Sequence, residues 1–86
     1  MTTVTIKYLV NLSEKAGTAR EDIEFSDNAR LRDVADKIRG LHGIDLPDPR
    51  IMATLNGRGW RQYPDGLDTP VKEGDVVMLF PPLSGG

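Results

Sequence analysis

Apolar residues recur at every second position near the start of the chain. They are Val4, Ile6, Tyr8 and Val10. The same period of two returns at Ile23 and Phe25. A period of two with many β-branched and aromatic residues is typical of strands, and two neighbouring strands of this kind predict a hairpin. The residues between them, 11–18, are predicted to form a connector with a turn at Gly17.

A single helix is predicted after the second strand. Its apolar residues are spaced three or four apart, with charged residues between them; they are Leu31, Val34, Ala35, Ile38 and Leu41. The segment 26–28 (Ser-Asp-Asn) offers several N-cap residues, and Gly40 and Gly43 offer two places for the helix to end.

Further strands are predicted in the C-terminal half. Residues 51–55 alternate and lead into Asn56-Gly57, a strong signal for a tight turn. Residues 59–68 have no clear period, and a short irregular strand is predicted between the third strand and the last. The segment 76–80 is the last strand, and Pro81-Pro82 must end it because proline has no N–H to pair. This order predicts an α+β domain of the β-grasp (ubiquitin-like) type over residues 1–80, with a mixed sheet of four to five strands and one main helix on one face.

The last strand is apolar at every position, although one helix can cover only one face of a sheet. If the helix covers Val77 and Leu79, the other face carries Val76, Met78 and Phe80. Side chains alternate between the two faces along a strand, so Leu9 and Met52 are expected on the same open face. Exposed apolar patches of small domains usually bind a partner. The alternative interpretation is that the loop 57–70 covers this face.

Composition excludes several classes of function. The chain has 86 residues and a net charge of −2, which argues against a general nucleic-acid binder. It has no cysteine, so disulfides, thiolate nucleophiles and cysteine-ligated metals are excluded. His42 is the only histidine and is expected to be a solvated residue at the helix end, not a metal ligand. No apolar run is long enough to span a membrane, and a cytoplasmic location is the default expectation.

The C-terminal segment 81–86 is predicted to be an extended, flexible tail. Pro81 to Ser84 carry no charge, and Gly85-Gly86 add only backbone. Glycine has no Cβ, so the walls of a partner's channel can approach it closely. Six residues reach ~20 Å when extended. We therefore interpret the Gly86 carboxylate as the working group, the alternative being an incidental frayed end.

Three C-terminal segments resemble the MoaD/ThiS group of ubiquitin-like sulfur carriers. They are residues 55–57 (Leu-Asn-Gly), residues 67–77, and residues 80–86, which read Phe-Pro-Pro-Leu-Ser-Gly-Gly. The helix start 31–34 (Leu-Arg-Asp-Val) is also similar to that group, and the ending is most similar to its MoaD branch, the small subunits of molybdopterin synthases. The segment 58–66 is longer than in a minimal member, and Val76 stands where a charged residue is expected.

The resemblance implies a non-catalytic carrier that binds no cofactor stably. An adenylyltransferase of the ubiquitin-activating type would use ATP to adenylate Gly86, a sulfur donor would form a thiocarboxylate, and a large synthase subunit would hold the pterin precursor that receives the sulfur. The residues expected to contact partners are Met52, Val76, Met78, Phe80, Pro81, Pro82, Leu83, Ser84 and Gly85. No nucleic acid or membrane is expected as a partner.

Two other functions remain open from the residues. A ubiquitin-like modifier would use the same activated Gly86 to acylate a lysine amine. A plain interaction domain would use the open sheet face alone. Trp60, in the irregular segment with Arg58 and Arg61, is either an interface anchor or a side chain folded over its own domain.

Overall fold

A five-stranded mixed sheet with one long helix forms the domain. The computed structural model describes residues 1–82 of the chain. Its elements are β1 (Thr2–Tyr8), α1 (Asn11–Ala16), β2 (Arg20–Phe25), α2 (Leu31–His42), β3 (Met52–Leu55), β4 (Arg58–Gly59), two short 3₁₀ helices (Trp60–Gln62 and Gly66–Asp68) and β5 (Val76–Phe80).

The strand order across the sheet is β2-β1-β5-β3-β4. β1 and β2 form the predicted antiparallel hairpin, β1 and β5 run parallel, and the remaining pairs are antiparallel. The buried core includes Ile6 of β1, Ile38 of α2 and Leu79 of β5. The predicted β-grasp architecture is confirmed, with β5 held at the centre of the sheet between β1 and β3.

The helix α2 begins later than its candidate caps suggest. Its N-cap is Arg30, whose backbone N–H donates to the Asp33 carboxylate at 2.8 Å. The predicted caps in 26–28 are wrong because these residues form a turn, and the chain then pairs with the segment 69–71 before the helix begins: the N–H of Leu31 donates to the carbonyl of Thr69 at 2.9 Å. The helix passes through Gly40 and ends at Gly43, whose φ of 67° lies in the left-handed region that glycine favours. Leu41, assigned to the apolar face, is 49% exposed.

The connector between β1 and β2 contains a helix that the sequence pattern did not predict. Helix α1 is six residues long and buries Leu12. Val10, assigned to the first strand, instead has a φ of 58° and is 74% exposed at the start of α1. Gly17 ends this helix in the left-handed conformation, so the predicted turn there is confirmed.

The predicted tight turn at Asn56-Gly57 is confirmed, and the Asn56 side chain also connects it to the start of β5. Asn56 and Gly57 have positive φ values of 54° and 84° between β3 and β4. The Asn56 side chain accepts from the Val76 N–H at 2.9 Å and donates to the Asp75 carboxylate at 3.0 Å. One side chain therefore fixes the hairpin against the start of β5.

The irregular segment folds onto the domain it belongs to. Trp60 is only 6% exposed and belongs to the core. Nearby, the Tyr63 hydroxyl donates to the Leu55 carbonyl at 2.6 Å, and the Arg58 guanidinium lies 4.8 Å from the centre of the Tyr63 ring. Of the two interpretations of Trp60, the structure supports the side chain folded over its own domain.

Candidate functional site

The last strand presents different residues to its two faces. Val77 and Leu79 are fully buried, whereas Val76, Met78 and Phe80 are partly exposed. The predicted alternation along β5 is therefore confirmed. These three apolar side chains are therefore accessible at the surface. The backbone of the same strand is hydrogen-bonded to a neighbouring strand on each side.

Strand register extends this apolar face sideways. Met52 lies opposite Phe80 and is 43% exposed, and Thr54 lies opposite Met78. We call Met52, Val76, Met78 and Phe80 the open apolar surface. Leu9, also exposed, follows β1, and its N–H donates to the Leu79 carbonyl at 3.0 Å, which places it at the same end of the sheet as Phe80.

The tail segment continues directly from this surface. Pro81 is partly exposed and Pro82 is exposed. The other tail residues of the predicted site, Leu83, Ser84, Gly85 and Gly86, lie outside the described residues. The structure brings Met52 and the three exposed residues of β5 together, and it starts the tail at the end of a central strand. Their roles in partner binding remain predictions.

His42 is not the solvated residue that its position at the helix end suggested. Its Nε2 lies 2.5 Å from Glu21 Oε2, and its ring packs edge-to-face on Tyr8 with centroids 5.4 Å apart. The Tyr8 hydroxyl donates to the same carboxylate oxygen at 2.6 Å. The cluster Tyr8–Glu21–His42 therefore ties the end of α2 to β1 and β2, on the face of the sheet opposite to the open apolar surface.

The sequence contained one signal for this cluster that its interpretation missed. Glu21 has the same parity on β2 as Ile23 and Phe25, so it points toward the helix layer. A carboxylate at such a position needs a partner because burying an unpaired charge is unfavourable. The two residues that could supply one, Tyr8 and His42, are distant in sequence from it and from each other.

The surroundings shift the pKa values of two groups in this cluster, Glu21 and Tyr8. Burial tends to raise the pKa of Glu21, but hydrogen bonds from Tyr8 and His42 and the charge of His42 outweigh it and hold the pKa below its usual value of 4.5. Burial, then the hydrogen bond to Glu21 and its charge, raise the pKa of the Tyr8 hydroxyl. The favoured state is an ionised Glu21 beside a neutral Tyr8.

Acidification is expected to weaken the domain through Glu21. A carboxyl whose pKa is lowered in the folded state stabilises the fold above its unfolded pKa, and this contribution is lost as pH falls through the folded value. The relevant window therefore lies below about pH 4.5. Urea unfolding measured from pH 7 to pH 3 should show that Glu21→Gln lowers stability at neutral pH and makes the acid-side loss shallower.

The matched control for that measurement is Glu24→Gln. Glu24 lies on the same strand but is exposed on the opposite face of the sheet. The stability of the Glu24→Gln variant should change with pH in the same way as that of the unmodified domain. Equal profiles for the Glu21 and Glu24 variants would contradict the assigned role of the cluster.

One cleft lies beside the open apolar surface. Its volume is about 300 Å³, and segments 46–49, 51–53 and 59–62 line it. Met52 belongs to both the cleft and the open apolar surface. Within residues 1–82 no group of three or more histidine, cysteine or acidic residues is placed to hold a metal ion. No helix in the same range is long and apolar enough to cross a membrane.

Comparison with known proteins assigns the chain to a family. Residues 6–86 match the sequence profile of the ThiS family. The chain belongs to the ThiS family. The match runs from the last residues of β1 through both helices to the Gly-Gly ending, so the family assignment rests on nearly the whole chain.

Individual relatives agree with the assignment. The chain is 29% identical over 85 residues to a Chlamydomonas reinhardtii protein described as molybdopterin synthase sulfur carrier subunit, covering 96% of this chain and 98% of that one. Among solved structures, a Pyrococcus furiosus protein assigned as molybdopterin converting factor, subunit 1, superposes with a TM-score of 0.80 at 29% identity, covering 96% and 100% of the two chains. Small archaeal modifier protein 1 from Methanosarcina acetivorans superposes with a TM-score of 0.78 at 26% identity, covering 100% and 98%.

Proposed function

We propose that this ThiS-family chain is a non-catalytic sulfur carrier that works through a thiocarboxylate on Gly86. The observation that carries the proposal is the continuity between a rigid central strand, an apolar surface and a neutral tail. β5 is paired on both sides, its open-face residues are apolar, and the chain continues from Phe80 through two prolines toward Gly85-Gly86. A partner that covers the open apolar surface thereby receives the tail at a defined position.

The first proposed step activates a poor electrophile. A carboxylate resists nucleophiles because it is resonance-stabilised and negatively charged. An adenylyltransferase of the ubiquitin-activating type would join the Gly86 carboxylate oxygen to the α-phosphorus of ATP and release pyrophosphate. The partner supplies the groups that bind the phosphates, so the carrier has only to present an unhindered carbonyl.

The second proposed step replaces the leaving group with sulfur. A hydrosulfide equivalent from a sulfur donor would attack the acyl carbon, AMP would leave with the bonding electron pair, and loss of a proton would give the thiocarboxylate. The chain has no cysteine, so a side-chain thiol of this protein cannot hold the sulfur. Gly86 fits this role because the reacting carbon has no side chain beside it.

The proposed recipient is a pterin precursor held by a large synthase subunit. The description of the Chlamydomonas reinhardtii relative supports this choice over other sulfur-dependent routes. The two prolines at the base of the tail support insertion into a partner, because a preformed extended segment loses less entropy when it is ordered.

Intact-mass measurement tests the proposal directly. The chain isolated from its own cells, or incubated with ATP, the adenylyltransferase and the sulfur donor, should gain the mass of one sulfur-for-oxygen exchange. Fragmentation should place that exchange at Gly86. The control is the same incubation without ATP, which should leave the mass unchanged. An unmodified Gly86 in the complete reaction would contradict the carrier proposal.

A second candidate is a ubiquitin-like protein modifier. The observation that favours a modifier is the structural similarity to small archaeal modifier protein 1. Activation would be the same, but a lysine amine would attack the acyl carbon and form an isopeptide. Isopeptide-linked Gly86 on cellular proteins, found by peptide sequencing of purified conjugates, would support the modifier, and the Gly86 thiocarboxylate would support the carrier.

A further inference from the structure

The cleft beside the open apolar surface lies at the end of the sheet where the tail begins. β3 and β5 are antiparallel, and Met52 at the start of β3 is the register partner of Phe80 at the end of β5. The chain that leads into β3 and the chain that leaves β5 are therefore at the same end of the sheet. That leading chain, with the start of β3, forms one wall of the cleft through segments 46–49 and 51–53.

The chain beyond the described residues is long enough to enter this cleft. Residues 83–86 follow Pro82 and can span ~13 Å when extended. Met52, which lines the cleft, belongs to the strand paired with β5, and paired strands lie about 5 Å apart. The last residues of the chain can therefore reach the cleft without any rearrangement of the sheet.

The walls of the cleft match the chemistry of these last residues. Most of the lining side chains are apolar; they belong to Leu46, Pro47, Pro49, Ile51, Met52, Ala53 and Trp60. Leu83 is the one large apolar side chain beyond Pro82, and moving it from water into such surroundings is favourable. The cleft volume of about 300 Å³ is at the small end of the range for ligand pockets, so it fits a few residues better than a folded partner.

The charges at the cleft also suit a chain terminus. Arg61 is exposed and is the only cationic residue that lines the cleft within residues 1–82. The only acidic one, Asp48, has its carboxylate bonded to the Arg50 guanidinium at 3.0 Å. The Gly86 carboxylate is the one ionic group of the last four residues. Arg61 is therefore the complementary charge for it on the cleft wall.

We propose that in the free protein the tail binds the cleft of its own chain, with Leu83 among the apolar walls and the Gly86 carboxylate near Arg61. Met52 belongs to both the cleft and the open apolar surface, so a partner that covers this surface competes with the bound tail for one side chain. The tail is then released where a partner is present to receive it. The described core lies within residues 4–79, so this binding is a surface contact with little effect on the melting temperature.

A spin label on the tail tests this proposal. The chain has no cysteine, so Ser84→Cys gives a single attachment point for a nitroxide. The label should cause a large loss of NMR signal at the amides of segments 51–53 and 59–62. The internal reference is Leu9, whose N–H donates to the Leu79 carbonyl at 3.0 Å and which therefore lies at the same end of β5 but on the β1 side. The Leu9 amide should keep most of its signal.

Variants of the labelled chain identify the contacts. Leu83→Ser removes the apolar anchor and Arg61→Glu reverses the charge at the cleft, so each should restore the lost signals. Lys37→Glu makes the same change of charge at an exposed position on α2 and should restore none of them. A measurement without the label keeps the test independent of the nitroxide: removal of residues 83–86 should shift the amide resonances of the same cleft segments.

Three outcomes would overturn the proposal. Equal signal loss at Leu9 and at the cleft would mean that the tail has no preference for the cleft. A loss that neither Leu83→Ser nor Arg61→Glu reduces would remove the assigned contacts. The third is a loss of the same size in isotope-labelled chains mixed with spin-labelled ones, which would mean that the cleft binds the tail of a second copy. None of these measurements uses ATP or an activating enzyme, so failure of the proposed function would leave them unchanged.

Discussion

Removal of Gly85-Gly86 is expected to reduce thiocarboxylate formation to background while leaving the melting temperature of the domain unchanged. The reacting carbonyl would be gone, and the shortened tail would end in a serine. The described core lies within residues 4–79, so neither deleted residue belongs to it. Intact mass after the complete activation reaction measures the first effect, and circular dichroism on heating measures the second.

A matched control keeps the length of the tail and changes only its end. Gly86→Ala retains a carboxylate but adds a methyl group beside the reacting carbon. We expect it to retain binding to the adenylyltransferase and to form less thiocarboxylate. A large fall in melting temperature on deletion would instead mean that the tail stabilises the fold. Normal function of the deleted chain would leave the plain interaction domain as the remaining interpretation.

Leu79→Ala is expected to destabilise the domain by about 2–5 kcal/mol, the usual range for a large-to-small change in a packed core. Leu79 is fully buried in the centre of the sheet. Domains commonly have a total stability of only ~5–15 kcal/mol, so this one change would remove a large part of it. Urea unfolding at neutral pH measures the loss.

The neighbouring residue on the same strand supplies the comparison. Met78 points to the opposite face and is partly exposed, so Met78→Ala should cost about 1 kcal/mol or less. Met78→Asp should leave the domain folded and impair binding of the adenylyltransferase. Equal destabilisation by Leu79→Ala and Met78→Ala would contradict the assignment of a core face and an open face to β5.

The local pattern of apolar residues was sufficient to predict most of the helices and strands. A period of two located three of the five strands, and a spacing of three to four located the long helix, because burial on one face imposes those periods on any sequence. The fully apolar run before Pro81-Pro82 located β5. The turn at Asn56-Gly57 was predictable since few residue pairs accept two successive positive φ values. Helix α1 was missed because six residues with only Leu12 buried are too short to show a helical period.

The errors at the ends of α2 have a different origin. Ser26, Asp27 and Asn28 are good N-cap residues, yet the helix starts later because residues 29–31 bond to the segment 69–71. His42 was expected in solvent because it lies at the end of the predicted helix. Its partners Tyr8 and Glu21 come from two strands that only the folded chain brings beside it.

By itself the sequence determined the fold class, the two faces of β5 and the Gly-Gly ending, because each depends on residues close together in the chain. Tertiary structure alone decided that Trp60 is buried, that His42 joins Tyr8 and Glu21, and that Met52 brings the cleft beside Phe80. These last features depend on strand order and register, which bring distant segments together and which no local period encodes.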